Sequence, residues 1–163
     1  MPLKETLYLF TDGSVNPQVK IGFGAYILLN EDELLCSSLS KDDVITKKFE
    51  DTSSSKLELE AMLWALGEVS FKNIKLVIFT DCQNIIGLKD RRERFEKNDY
   101  ITKKNTLIKN HELYKKFYEI TDSIECNFVK VKGHKKNEDK NSIDKIFTLV
   151  DLAARDTLRS NFL

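Results

Sequence analysis

Neither charge predominates in this sequence: 26 Lys and Arg stand against 26 Asp and Glu. Bulk electrostatics therefore gives no pointer to a polyanionic partner, and any basic face has to be local. Cysteine is scarce, with only Cys36, Cys82 and Cys126, widely spaced and without a CxxC pair. An odd, scattered set argues against a disulfide framework or a cysteine zinc site and fits reduced thiols in the cytoplasm. Long apolar runs are missing; nothing approaches the roughly 20 residues of a membrane span. The opening Met1-Pro2-Leu3-Lys4-Glu5-Thr6 carries a charged pair where a secretory leader needs apolar residues. Repeats and low-complexity tracts are also lacking. The expectation is a soluble, cytoplasmic, monomeric protein with no membrane partner. Its 163 residues, 41% hydrophobic, suit one domain over 1–163 that buries a core without staples.

What is present reads as alternating strands and helices. Leu7-Tyr8-Leu9-Phe10 is a β-prone run ending at Thr11-Asp12-Gly13-Ser14, followed by a loop at Asn16-Pro17. A second strand is expected from Ile21 to Leu29 and a third from Glu33 to Leu39, joined by a turn at 30–32. The stretch 41–53 reads as a polar linker. A helix is expected from Ser54 or Ser55 to Ser70, with Glu58 at capping-box spacing from Ser55. Glu58, Met62, Ala65, Leu66 and Val69 then share one face. Leu76-Val77-Ile78-Phe79 is a continuous apolar run that suits a strand buried on both faces, ending at Asp81. Helices are expected at 83–88, 110–120 and 147–158, and a strand at 124–131. The segments 89–110 and 135–144 read as charged or polar connections. This order implies the α/β class, a mixed sheet flanked by helices.

Acidic residues are common, so their placement carries the information. Asp12 and Asp81 each close an apolar strand, while Glu58 and Asp151 lie near the start of apolar helix stripes. Strand ends and adjoining helices can converge, and four converging carboxylates repel one another unless cations bind. Oxygen donors without cysteine or paired histidines favour Mg²⁺ or Mn²⁺ over zinc. The fitting chemistry is phosphodiester hydrolysis by two ions, one activating water and one stabilising the leaving oxygen. Each acid taken alone reads equally as a cap, a turn residue or a surface charge.

Five blocks carry a family resemblance: Thr11-Asp12-Gly13-Ser14, Leu57-Glu58-Leu59-Glu60-Ala61, Thr80-Asp81-Cys82-Gln83, Lys132-Gly133-His134 and Val150-Asp151-Leu152-Ala153-Ala154-Arg155. In this order they resemble the signatures of type 1 ribonuclease H across nearly the whole chain. The resemblance implies a ribonuclease H-like α/β fold: a mixed five-stranded sheet, three antiparallel strands then two parallel additions, flanked by helices. It implies an endoribonuclease that cuts the RNA strand of RNA/DNA hybrids with two Mg²⁺ or Mn²⁺ ions. Asp12, Glu58, Asp81 and Asp151 become the catalytic metal ligands, and His134 assists proton transfer or product release. Glu60 competes with Glu58, but the motif register favours Glu58 and leaves Glu60 facing solvent. The loop between His134 and Asp151 is longer than the family's usual one.

The same resemblance puts Asn16 and Gln83 against the minor groove of the hybrid. Ser54 and Ser55 stand where family members often carry asparagines; they read either as 2′-OH contacts of shorter reach or as helix caps. From Lys89 to Lys116 ten basic residues face five acids, a local excess of +5. This stretch resembles in position a basic protrusion that some members use to hold the DNA strand, with Arg91, Arg92 and Arg94 as substrate contacts; otherwise it is a solvated face. Other readings are a resolvase-like nuclease on the same fold, or a non-catalytic nucleic-acid binder. Retention of all four acids argues against the binder.

Overall fold

The computed structural model describes residues 4–36, 38–69, 73–132, 136 and 141–162. The chain runs β1 (Glu5–Asn16), β2 (Ile21–Leu29), α1 (Glu31–Leu34), a 3₁₀ turn (Lys41–Asp43), β3 (Ile45–Glu50) and α2 (Ser54–Glu68). It continues through β4 (Ile74–Thr80), α3 (Gln83–Ile86), α4 (Leu88–Lys97), α5 (His111–Asp122), β5 (Glu125–Lys130) and α6 (Ser142–Ser160). The sheet order is β3-β2-β1-β4-β5. β1–β2 and β2–β3 pair antiparallel, and β4 and β5 add in parallel, giving the ribonuclease H-like mixed sheet.

The period of two along a strand sends neighbouring side chains to opposite faces, and both faces are covered here. Leu9, Leu76 and Ile78 pack with Leu59, Met62 and Leu66 of α2 and with Phe117 and Tyr118 of α5. The alternate residues Phe10 and Phe79 join Ala25, Ile27 and the Phe147, Val150 and Ala154 side of α6. That division explains why 76–79 is apolar throughout. α2 lies unusually close to the sheet. A Cβ on Gly24 would come within 2.8 Å of the Ala61 Cβ, and one on Gly22 within 2.6 Å of Leu57 Cδ2. Only glycine leaves room for this approach. Among the described residues no helix is long and apolar enough to cross a membrane.

Several elements depart from the sequence expectation. The third strand is Ile45–Glu50, inside the expected linker, and Glu31–Leu34 is a short helix. Asn30 caps that helix by accepting from the Glu33 N–H, while Glu33 accepts from the Asn30 N–H, so local capping overrides the expected strand. β1 runs on to Asn16, which places Asp12 within a strand instead of at its end. The cap of α2 is Ser53, whose Oγ accepts from the Lys56 N–H at 3.3 Å, so the Ser55–Glu58 capping box does not form. α4 occupies part of the stretch expected to be irregular. α6 begins at Ser142 under an Asn141–Asp144 capping box, so Asp151 sits mid-helix.

Candidate active site

The site forms where β1 leaves its parallel partner. Pairing of β1 with β4 ends at Phe10↔Phe79, while pairing with β2 continues through Asp12↔Ala25. The two central strands therefore splay just beyond their apolar cores, at Asp12 and at Asp81 immediately after β4. α2 adds Glu58, held between Leu57 and Ala61, the two residues that press against the sheet glycines. One carboxylate oxygen from each of Asp12, Glu58 and Asp81 lies within 4.8 Å of the other two. Among the described residues this is the group of acids close enough to share a metal ion.

The electrostatics of this cluster are adverse without a cation. Asp12 is 4% exposed. Burial, then the charges of Glu58 and Asp81, push its carboxyl up to about 9, although the Gly13 N–H pulls the other way. Glu58 is pushed up to about 8 by burial and by the charges of Asp81 and Asp151. Both shifts have the same causes: loss of water and like charge at short range. Asp151 is reached by a hydrogen bond with Asp12 but lies outside the three-acid group. Its Oδ2 is paired instead with Arg155 Nη2 at 3.0 Å, one turn along α6. That pair was not anticipated, although an i,i+4 acid and arginine is a recognisable helix pattern.

The remaining expected residues fall at different places. His134 lies outside the described residues. Asn16 ends β1, and its Oδ1 accepts from the Gln18 N–H at 3.1 Å. With Ser14, Arg155 and Arg159 it lines an open groove of about 430 Å³ beside the site. Ser54 and Ser55 are exposed in the first turn of α2. Gln83 is exposed at the start of α3, and its Oε1 accepts from Lys130 Nζ at 2.6 Å. Glu60, expected to face solvent, accepts from the hydroxyl of the buried Thr52 at 2.6 Å. A polar atom at that depth needs a partner, and the spacing of Thr52 and Glu60 in sequence gave no sign of it.

Two arginines of the basic stretch are tied within the protein. Arg91 donates to the carbonyl and side-chain oxygens of Asn84, and Asn84 donates in turn to the Tyr114 hydroxyl. Arg92 makes a two-pronged contact with Asp122 at 2.6 and 2.7 Å and a further one with Glu96 at 2.8 Å. Arg94 is exposed, with its guanidinium 5.9 Å from the centre of the Phe95 ring.

Known proteins resemble this chain along most of its length. The family model for RNase H matches residues 4–155. The chain is 26% identical over 146 residues to a ribonuclease H of Thermoanaerobacter sp. (strain X514), covering 88% of both. It is 31% identical over 104 residues to a ribonuclease H of Clostridium botulinum (strain Hall), covering 63% of this chain and 69% of that one. Among solved structures, the foamy viral protease-reverse transcriptase in complex with dsDNA shares the fold, with a TM-score of 0.61 at 12% identity. That match covers 93% of this chain and 94% of the other.

Proposed function

The chain belongs to the ribonuclease H family, and from that premise we propose that it is an endonuclease cutting the RNA strand of RNA/DNA hybrids. The observation that carries the reading is the convergence of Asp12, Glu58 and Asp81, whose oxygens lie within 4.8 Å of one another. These acids, two of them with carboxyls raised far above their usual range, fit hard divalent cations. The donor set is all oxygen, which suits Mg²⁺ or Mn²⁺. Asp12, Glu58, Asp81 and Asp151 would hold two ions. Once bound, the ions supply an activated water and charge stabilisation at the leaving oxygen.

The protein's own groups do the rest. The strand carrying Asp12 and the helix carrying Glu58 are fixed by core packing, so the ligands need little rearrangement when cations arrive. Arg155 holds Asp151 on α6 until then. His134 is proposed to assist proton transfer or product release, as a titrating imidazole can at neutral pH. Asn16, Ser54, Ser55 and Gln83 would read the minor groove and the 2′-hydroxyls that tell RNA from DNA. The same reading takes the working unit as a single-domain cytoplasmic monomer.

The test is side-by-side cleavage of hybrid, duplex RNA, duplex DNA and single-stranded RNA, with and without Mg²⁺ or Mn²⁺. Metal-dependent cutting confined to the RNA of the hybrid is expected. Equal cutting of duplex DNA would favour a resolvase-like nuclease.

A further inference from the structure

Gln83 carries one acceptor and two donors on its amide, and which of them faces substrate decides what it can read. The structure bears on that choice. Lys130 Nζ lies 2.6 Å from Gln83 Oε1. An ammonium has donors only, so it can engage the amide only through the oxygen. The contact takes one lone pair of the oxygen and turns that side of the amide toward Lys130, so the Nε2 hydrogens are the groups turned away from it, toward a ligand.

Both partners are anchored to one buried residue. The parallel register of β4 and β5 sets Lys130 opposite Thr80, and the Val131 N–H donates to the Thr80 carbonyl at 2.9 Å. Thr80 Oγ1 accepts from the Cys82 N–H at 3.1 Å, which shapes the turn leading into Gln83. Thr80 is 0% exposed, so the pair rests on a rigid base.

Building on the hybrid-cutting reading, we infer that Lys130 is a positioning residue that makes Gln83 a pure donor toward the minor groove, so that the enzyme disfavours guanine at one position. Adenine N3 and pyrimidine O2 are acceptors on that edge, whereas guanine adds a 2-amino donor. A donor facing a donor leaves both without a partner. Without Lys130 the amide turns freely about its last torsion and offers Oε1 to the guanine amino group. The discrimination then disappears.

The experiment replaces each guanine of a hybrid in turn by inosine, which lacks the 2-amino group, and compares kcat/KM for wild type, Lys130→Met and Lys130→Arg. Wild type is expected to cut the inosine hybrid about five- to tenfold better at one position relative to the cut, mainly through KM. Lys130→Met should bring that ratio to within about twofold of one, and Lys130→Arg, another donor-only cation, should restore it. Lys130 is exposed, so neither variant should disturb folding. A wild type indifferent to inosine, a ratio unchanged in Lys130→Met, or no rescue by arginine would each overturn the inference. A second arm follows the Gln83 side-chain amide by NMR in the free protein. Its resonance should move in Lys130→Met and stay nearly in place in Lys130→Arg; an unmoved resonance in Lys130→Met overturns the pairing itself. If wild type cuts no hybrid, the functional reading fails while this second arm still decides the pairing.

Discussion

At the site end of the sheet, Asp12, Glu58 and Asp81 bring one sign of charge together in a buried corner, and the charged neighbours acting on Asp12 and Glu58 are carboxylates. On α4 and α5 both signs of charge are interspersed, and two arginines find their partners within the protein: Arg92 lies between Glu96 and Asp122, and Arg91 is fastened to Asn84. The first region holds unfavourable electrostatic energy that protons or a bound cation relieve; in the second, Arg91 and Arg92 use their charge in holding three helices together. A count of charged residues misses this distinction, because the basic stretch is the more conspicuous in sequence. What separates them is whether the partner of each charge already belongs to the protein.

The largest expected effect breaks the acidic side. Asp12→Asn or Asp81→Asn keeps the shape of the side chain and removes a ligand charge. Steady-state assays should show hybrid cleavage falling about a thousandfold or more, a loss of roughly 4 kcal/mol in transition-state stabilisation. Hybrid binding should stay within a few-fold. Near-normal turnover by Asp81→Asn in Mg²⁺ would remove that residue from the site.

A smaller effect concerns pH. The folded-state carboxyls of Asp12 and Glu58 are raised above their ordinary values of 3.8 and 4.5. The native state therefore holds these protons more tightly than the unfolded chain, and the associated stability is fully present below about pH 4. It is lost as pH rises through the raised values. Denaturant unfolding in chelator between pH 5 and 9 should show wild type losing stability relative to Asp12→Asn. Parallel curves for the two proteins would show that Asp12 titrates normally.

The smallest effects test the basic side. Arg94→Gln, at an exposed guanidinium 5.9 Å from the centre of the Phe95 ring, should raise the KM for hybrid and flatten the dependence of affinity on salt with little change in kcat. Arg92→Gln should instead lower the melting temperature by about a degree or two, since its partners are half exposed. If Arg92→Gln changes the salt slope as much as Arg94→Gln, the internal pairing of Arg92 does not keep it from substrate.

The mixed sheet and the meeting of Asp12, Glu58 and Asp81 were legible because each motif is local and sits on a strongly apolar element. β3 was not legible. Its sequence Ile45-Thr46-Lys47-Lys48-Phe49-Glu50 is that of an exposed edge strand with weak alternation, and its pairing with β2 is a tertiary fact. The expected strand, Glu33 to Leu39, carries apolar residues, but its first residue closes a capping box with Asn30, and the short helix Glu31–Leu34 forms there instead. α4 escaped notice because it buries only Leu88 and Phe95, two turns apart. The contacts that tie down Arg91 and Arg92 span 7 and 30 residues, beyond the reach of any sequence spacing. For the same reason the contact between Lys130 and Gln83 left no mark in the sequence: the two residues lie 47 positions apart, with α4 and α5 between them.

Thermal unfolding of wild type and Asp81→Asn, first in chelator and then in millimolar Mg²⁺ or Mn²⁺, tests the convergence of the acids most directly. Ions that bind the assembled site and not the unfolded chain stabilise the fold by mass action, about 2.7 kcal/mol at a hundredfold excess over Kd. Wild type should gain several degrees with either metal. Asp81→Asn should be the more stable protein in chelator and should gain less from metal, because one of the repelling charges is gone. Wild-type melting unmoved by both metals, with an asparagine variant no more stable than its parent, would contradict the account: the acids would then not form a cation site.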